Sequence, residues 1–138
     1  MTITPDSLIL TVRGEVANIP VDYVDDYQVY SEIKSAMVFV NEIVRKDAIT
    51  EQVKEAIVKL SAYYVYVNYT SMAEKALGEL PRTAYIQLEV KRAKALTYLR
   101  MISSVPLNNN LTIDMDLFRK STVITVGLSS SVIGDGKG

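Results

Sequence analysis

The stretch from Thr50 to Gly78, TEQVKEAIVKLSAYYVYVNYTSMAEKALG, constrains the fold more than any other part of the chain. Thr50 offers an N-cap, Glu51 a first-turn acid and Gly78 a left-handed stop, so the stretch is predicted to be one long helix. Its apolar face reads Val53, Ala56, Ile57, Leu60, Tyr64 and Val67, with Lys54, Glu55 and Lys59 opposite or flanking. Four of the chain's nine tyrosines, Tyr63, Tyr64, Tyr66 and Tyr69, fall in its middle. A helix turns about 100° per residue, so tyrosines this close together cannot all face one core. Tyr64 is expected inside. Tyr63, Tyr66 and Tyr69 are expected either to line the rim of a small core or to contact another copy of the chain.

A long helix needs neighbours, and the flanking segments supply them. Thr4-Pro5 reads as a helix start, giving a short N-terminal helix that ends at Gly14, followed by a loop from Glu15 to Pro20. Asp22 to Arg45 reads as a second helix, with Asp22, Asp25 and Asp26 near its N-terminus and a stripe of Tyr23, Tyr27, Tyr30, Ile33, Met37, Val40 and Val44. The connection from Asp47 to Ile49 is brief, so the Thr50 helix is expected to return antiparallel. Leu80-Pro81 starts a further helix running to about Ser103, with Tyr85, Leu88, Ala95, Leu99 and Ile102 on one face, flanked by Ile86, Val90, Ala93 and Leu96. The pattern changes after the proline and asparagines of the loop from Val105 to Asn110. Leu111 to Phe118 alternates apolar and polar, and Ser121 to Val126 is β-branched, so both read as strand-like. They form either a hairpin or one extended arm, ahead of a glycine-rich tail. The expected architecture is mainly α: an antiparallel bundle of three long helices plus a short N-terminal helix over residues 1–104. A loop and an extended or β-hairpin-like C-terminal arm are expected over 105–138.

At 138 residues the chain can bury a core without a metal or disulfide staple. It has no cysteine and no histidine, which removes thiol catalysis, Cys/His zinc sites and Ser-His-Asp chemistry. The paired carboxylates, Asp25-Asp26 and Asp114/Asp116, lack the contrasting environments that acid–base catalysis needs, and read as cap and solubility residues. No EF-hand spacing follows Asp114. The terminal GDGKG lacks the Walker spacing and a following helix. No enzyme and no cofactor is expected. The N-terminus lacks the pattern of a signal peptide and no run approaches the roughly 18 apolar residues of a membrane span. Synthesis and folding in the cytoplasm, with no membrane partner, are therefore expected.

Net charge is −1, which does not favour tight sequence-independent DNA binding. The charge is uneven, however. Met1 to Ile33 carries six acids (Asp6, Glu15, Asp22, Asp25, Asp26, Glu32) and one base (Arg13), a balance of −5. Arg82 to Arg100 carries five bases (Arg82, Lys91, Arg92, Lys94, Arg100) and one acid (Glu89), a balance of +4. The two segments either pair within one chain or make head-to-side contacts between copies. The second option makes Asp25, Asp26, Arg82, Lys91 and Arg92 candidate interface residues, with Tyr63, Tyr66 and Tyr69. A lone apolar strand needs a partner to complete it. Thr122, Val123, Ile124, Val126, Leu128, Val132 and Ile133 are thus a candidate docking arm.

Three features together resemble the head-to-tail adaptor (head completion, or connector) proteins of tailed bacteriophages. They are the acidic helix DYVDDYQVYSEIKSAMVFVNEIV, the helix VKEAIVKLSAYYVYVN at Val53 to Asn68, and a basic helix followed by an extended C-terminal segment. In layout the resemblance covers roughly Pro5 to Ser103. Where the family often has an arginine after the asparagine, this chain has Tyr69. The resemblance implies a structural virion protein of the neck that forms a ring, commonly a dodecamer, under the portal. It implies partners on both sides, the portal and a stopper or tail protein, with double-stranded DNA passing through the channel without specific binding. The alternative expectation is a small cytosolic helical adaptor or regulator whose groove holds a partner protein.

Overall fold

The computed structural model describes residues 3–78 and 82–119. Pro5–Leu8 forms a 3₁₀ turn that continues into helix α1, Ile9–Glu15. Pro5 sits at the start, where its missing N–H costs nothing. Thr4 precedes it in extended conformation but makes no side-chain cap bond. A second 3₁₀ turn, Val21–Tyr23, leads to helix α2, Asp26–Ile43. This helix starts later than the expected Asp22. Asp25 is its N-cap and accepts from the Gln28 N–H at 2.8 Å, while the Gln28 side chain accepts from the Asp25 N–H at 3.0 Å. That reciprocal pair satisfies two backbone donors and fixes the start.

The α2 core face also differs from the expected tyrosine stripe. Val29, Ile33, Ala36, Val40 and Ile43 are fully buried, and Tyr27 is 76% exposed. The stripe keeps its helical period but is rotated away from the tyrosines. The branched aliphatics therefore fill the interior, while Tyr23 and Tyr27 face outward.

Helix α3, Thr50–Leu77, is the centre of the unit, and α1, α2 and the last helix, α4 (Arg82–Ile102), all pack against it. Thr50 is already helical. Ile49 stands in the N-cap position and makes no side-chain bond, so the expected threonine cap is not formed. Gly78 does end the helix in the left-handed conformation, φ 80°, with its N–H on the Glu74 carbonyl at 2.8 Å.

Because partners surround α3, its midsection is buried nearly all round: Ala56, Ile57, Val58, Leu60, Ala62, Val65 and Tyr66. Two polar residues enter this interior and bond within their own helix. Ser61 donates to the Ile57 carbonyl at 2.6 Å, and Thr70 donates to the Val67 carbonyl at 3.0 Å. Val67, expected inside, is instead partly exposed.

The α3–α4 pair is antiparallel. Lys59 lies over the Tyr98 ring and Lys91 over the Tyr66 ring, so later residues of one helix meet earlier residues of the other. Met37 and Asn41 of α2 line one groove with Val53 and Ile57 of α3, while Glu32 meets Asn68, so α2 is also antiparallel to α3. The carboxyl ends of α2 and α4 are tied together by the Val44–Ser103 bridge, with Arg45 N–H on the Ile102 carbonyl at 2.8 Å and Ser104 N–H on the Ile43 carbonyl at 2.7 Å.

The chain divides after Ser104, and the following segment is a unit of its own. The expected strand from Leu111 to Phe118 is not formed. Asn108 Oδ1 gathers the Asn110 N–H, the Thr112 N–H and the Thr112 hydroxyl into a tight loop. Leu111 takes a left-handed φ of 62° within it. Asp114 then accepts from the Leu117 N–H at 3.0 Å, and residues 115–119 make a helical turn. The asparagine and the aspartate offer the backbone local bonds that outweigh the period-two pattern. Among the described residues there are only isolated bridges, Leu107–Ile113 being the second, and no strand. The proposed docking arm, Thr122 to Ile133, lies outside the described residues.

Candidate assembly surface

The residues singled out by sequence separate into an interior group and an exterior group. Tyr66 belongs to the interior: it is 1% exposed, so it is not available to a neighbour as expected. Its ring meets Tyr69 edge-on at 6.2 Å, and Tyr69 meets Tyr23 at 5.7 Å. Burial raises the Tyr66 hydroxyl above its ordinary pKa, and its hydrogen bond with Asn18 works the other way. Tyr63 and Tyr69 are half-buried, as is Tyr64, the one expected inside. The physical reason is that α3 has core on more than one side, so a tyrosine can leave one packing face and enter another.

Lys91 is also interior. It donates to the Glu15 backbone carbonyl, and its ammonium stands 3.8 Å from Glu15 Oε2. Lys59 donates to Oε1 of the same carboxylate. One acid from the end of α1 thus serves two ammonium groups, one on α3 and one on α4. Burial pushes Glu15 towards the neutral form, but the Lys59 hydrogen bond and the charges of Lys59, Lys91 and Lys94 outweigh it and hold Glu15 below the usual carboxylate range. Burial likewise opposes the charge on Lys59, and Glu15 reverses the sign, so Lys59 is raised. For Lys91 burial dominates and the neighbouring lysines add to it, so Lys91 is lowered. Part of the charge asymmetry seen in sequence is therefore satisfied within one chain.

The acidic candidates are engaged locally. Asp25 caps α2, and Asp26 accepts from Arg13 Nε at 2.6 Å, while Arg13 also donates to the Val24 carbonyl at 2.8 Å. Arg92 pairs with Glu89 one turn away. Glu32, between α2 and α3, is raised by burial, with the Asn68 hydrogen bond opposing.

The amino-terminal half of α4 also stays outside. Arg82, Tyr85, Ile86, Glu89, Val90 and Ala93 line one shallow, open and largely apolar face. Ile86 is 50% exposed, and Tyr85, expected in the core, also faces outward. The helix buries only Ala95, Leu99 and Ile102 fully. Of this surface, the sequence singles out Arg82 and Arg92 but not its apolar residues. The signal was there in the apolar residues flanking the expected face, Ile86, Val90 and Ala93, which a helix packed against one central neighbour cannot all bury.

Among the described residues no group of three or more acids, histidines or cysteines converges, and no helix is long and apolar enough to cross a membrane. No protein-family model, no curated protein and no solved structure matches this chain.

Proposed function

We propose that the chain is a structural virion protein, a ring-forming head-to-tail adaptor of a tailed bacteriophage. In this reading copies assemble, as a dodecamer, beneath the portal at the neck of the particle, join it to a stopper or tail protein, and extend the channel through which double-stranded DNA passes. The observation that carries the reading is the apolar outer face of α4, Tyr85, Ile86, Val90 and Ala93, exposed among the described residues. A contiguous apolar patch rimmed by charge marks a protein-interaction surface. The resemblance of Val53 to Asn68 to the family's aromatic helix supplies the class of assembly. Near-neutral net charge suits a ring through which DNA slides. Tyr63, Tyr69 and Arg82 stay in the proposed interface, with Asp26 and Arg92 at its edge, and Tyr66 and Lys91 leave it.

The test is electron microscopy and light scattering of the purified chain with and without the portal. Rings seated on the portal are expected. A monomer that ignores the portal at all concentrations rejects the reading.

A further inference from the structure

We propose that the outer stripe of α4 docks against the outer stripe of α2 in a second copy, with the two helices parallel; this rests on the reading that the chain assembles with itself. Both helices keep apolar side chains open to solvent. On α4 these are Tyr85, Ile86, Val90 and Ala93. On α2 they are Tyr27 and Val38, 76% and 61% exposed, whose separation returns them to one face.

The charges on the two stripes complement each other. Along α4 run Arg82 and Glu89, and along α2 run Asp26, Lys34 and Glu42, all five exposed. At 1.5 Å per residue, Arg82 and Glu89 are about 10 Å apart along the axis and Asp26 and Lys34 about 12 Å, so both pairs can meet at once. Asp26 and Glu89 already hold Arg13 and Arg92 in their own chain. A carboxylate has a second oxygen for a second cation.

Charge order alone permits either direction, because plus-minus on α4 can meet Asp26 and Lys34 or, reversed, Glu42 and Lys34. A ring axis along the helices, rather than a two-fold across them, selects the parallel one. Helices α2 and α4 both run antiparallel to α3, so they are parallel to each other. A rotation about an axis along the helices keeps them parallel between copies. The resulting register sets Ala93 against Val38, small against large, with Arg82 at Asp26 and Glu89 at Lys34. The two surfaces differ, so the contact is heterologous and propagates beyond a dimer. It forms a ring where the rotation closes.

The chain has no cysteine, so introduced thiols report cleanly. Val38→Cys and Ala93→Cys proteins are mixed at high concentration under mild oxidation. The mixed disulfide is expected to exceed either homodimer, and Lys34→Glu in the first chain is expected to reduce it roughly tenfold. Adding Glu89→Lys to the second chain is expected to restore it. The proposal is overturned when the mixed product is no more abundant than with an exposed control, Glu51→Cys. It is equally overturned when Val38→Cys pairs with Ile86→Cys in preference to Ala93→Cys, since that is the antiparallel register. Sedimentation with the portal separates this from the adaptor reading. Crosslinking without portal binding rejects the adaptor role alone, and portal binding without crosslinking rejects this contact alone.

Discussion

The two sides of α4 carry similar residues and do different work. Its inner side presents Lys91, Tyr98 and the buried Ala95, Leu99 and Ile102 to α3. Its outer side presents Arg82, Tyr85, Ile86 and Val90 to solvent. Both sides mix cations with apolar and aromatic groups. The difference lies in what answers them. Inside, one carboxylate from α1 reaches the ammonium groups of Lys59 and Lys91, which lie over the Tyr98 and Tyr66 rings. Outside, Tyr85, Ile86 and Val90 stay exposed among the described residues. Composition therefore does not tell a core face from an exposed one, and the answering residues, which come from far away in sequence, decide it.

The largest effect expected from this contrast is at Tyr66. Tyr66→Ala removes a buried ring from the seam of α3 and α4 and leaves Asn18 without its hydroxyl partner. A loss of about 3–5 kcal/mol in unfolding free energy is expected, typical of a large aromatic truncated in a core. Urea denaturation followed by circular dichroism measures it. A stable, fully folded variant with impaired assembly would instead put Tyr66 on the outer side.

Next is Glu15. Glu15→Gln leaves Lys59 and Lys91 facing each other without their shared anion, at a cost of about 2 kcal/mol, below the range for fully buried pairs because these side chains keep some exposure. The pH dependence has a definite sign. Glu15 is depressed in the fold, so its stabilisation is present above the unfolded value of 4.5 and is lost as pH falls through the lower folded value. Glu32 is raised, so it gives a small gain as pH falls through its raised value towards 4.5, before the Glu15 loss sets in. Melting temperature against pH should therefore fall more steeply below 4.5 in the wild type than in Glu15→Gln. Parallel curves would show that Glu15 is not the anion that matters.

Much of the fold was legible because it is local. Helix periods, the Pro5 start, the Gly78 stop and the brief connection before Thr50 are each set by neighbours in sequence. The phase of each helix was harder, because it depends on how many partners a helix has. A single core face does not place the tyrosines of α3, because a central helix has several. The start of α2 is not legible in sequence, because Asp22, Asp25 and Asp26 each suit a first turn, and only the reciprocal bonds with Gln28 choose among them. The strand expected from Leu111 failed for a similar reason, since Asn108 and Asp114 act on backbone groups two to four residues away. Of the candidate site, the exposed basic end at Arg82 was legible. The internal role of Lys91 was not, because its partner lies 76 residues earlier.

A smaller effect separates the members of the interior cluster. One anion serves two cations there, so removing a cation should matter less than removing the anion. Lys91→Met keeps the length of the side chain and its packing over Tyr66, and removes a charge that burial already disfavours. Replacing a buried charge by an apolar group of similar shape is often close to neutral. A change within about 1 kcal/mol is expected, smaller than that of Glu15→Gln, by the same denaturation assay. The reverse order would mean that Lys91, not Lys59, holds Glu15.

The smallest effect on the folded monomer is expected on the outer side. Ile86→Ser alters a side chain that is 50% exposed and has solvent, not core, on its open side. Serine lowers helix propensity only slightly. The unfolding free energy of the isolated chain should stay within about 0.5 kcal/mol of wild type, the usual span for surface positions. Association between copies should weaken at the same time, read as a lower mass average in light scattering at matched concentration. The pairing of these two readouts is what gives the test its force. Burial of Ile86 in the monomer would make stability fall with association, whereas an interface position moves association alone. Loss of stability by several kcal/mol would therefore erase the distinction between the two sides of α4.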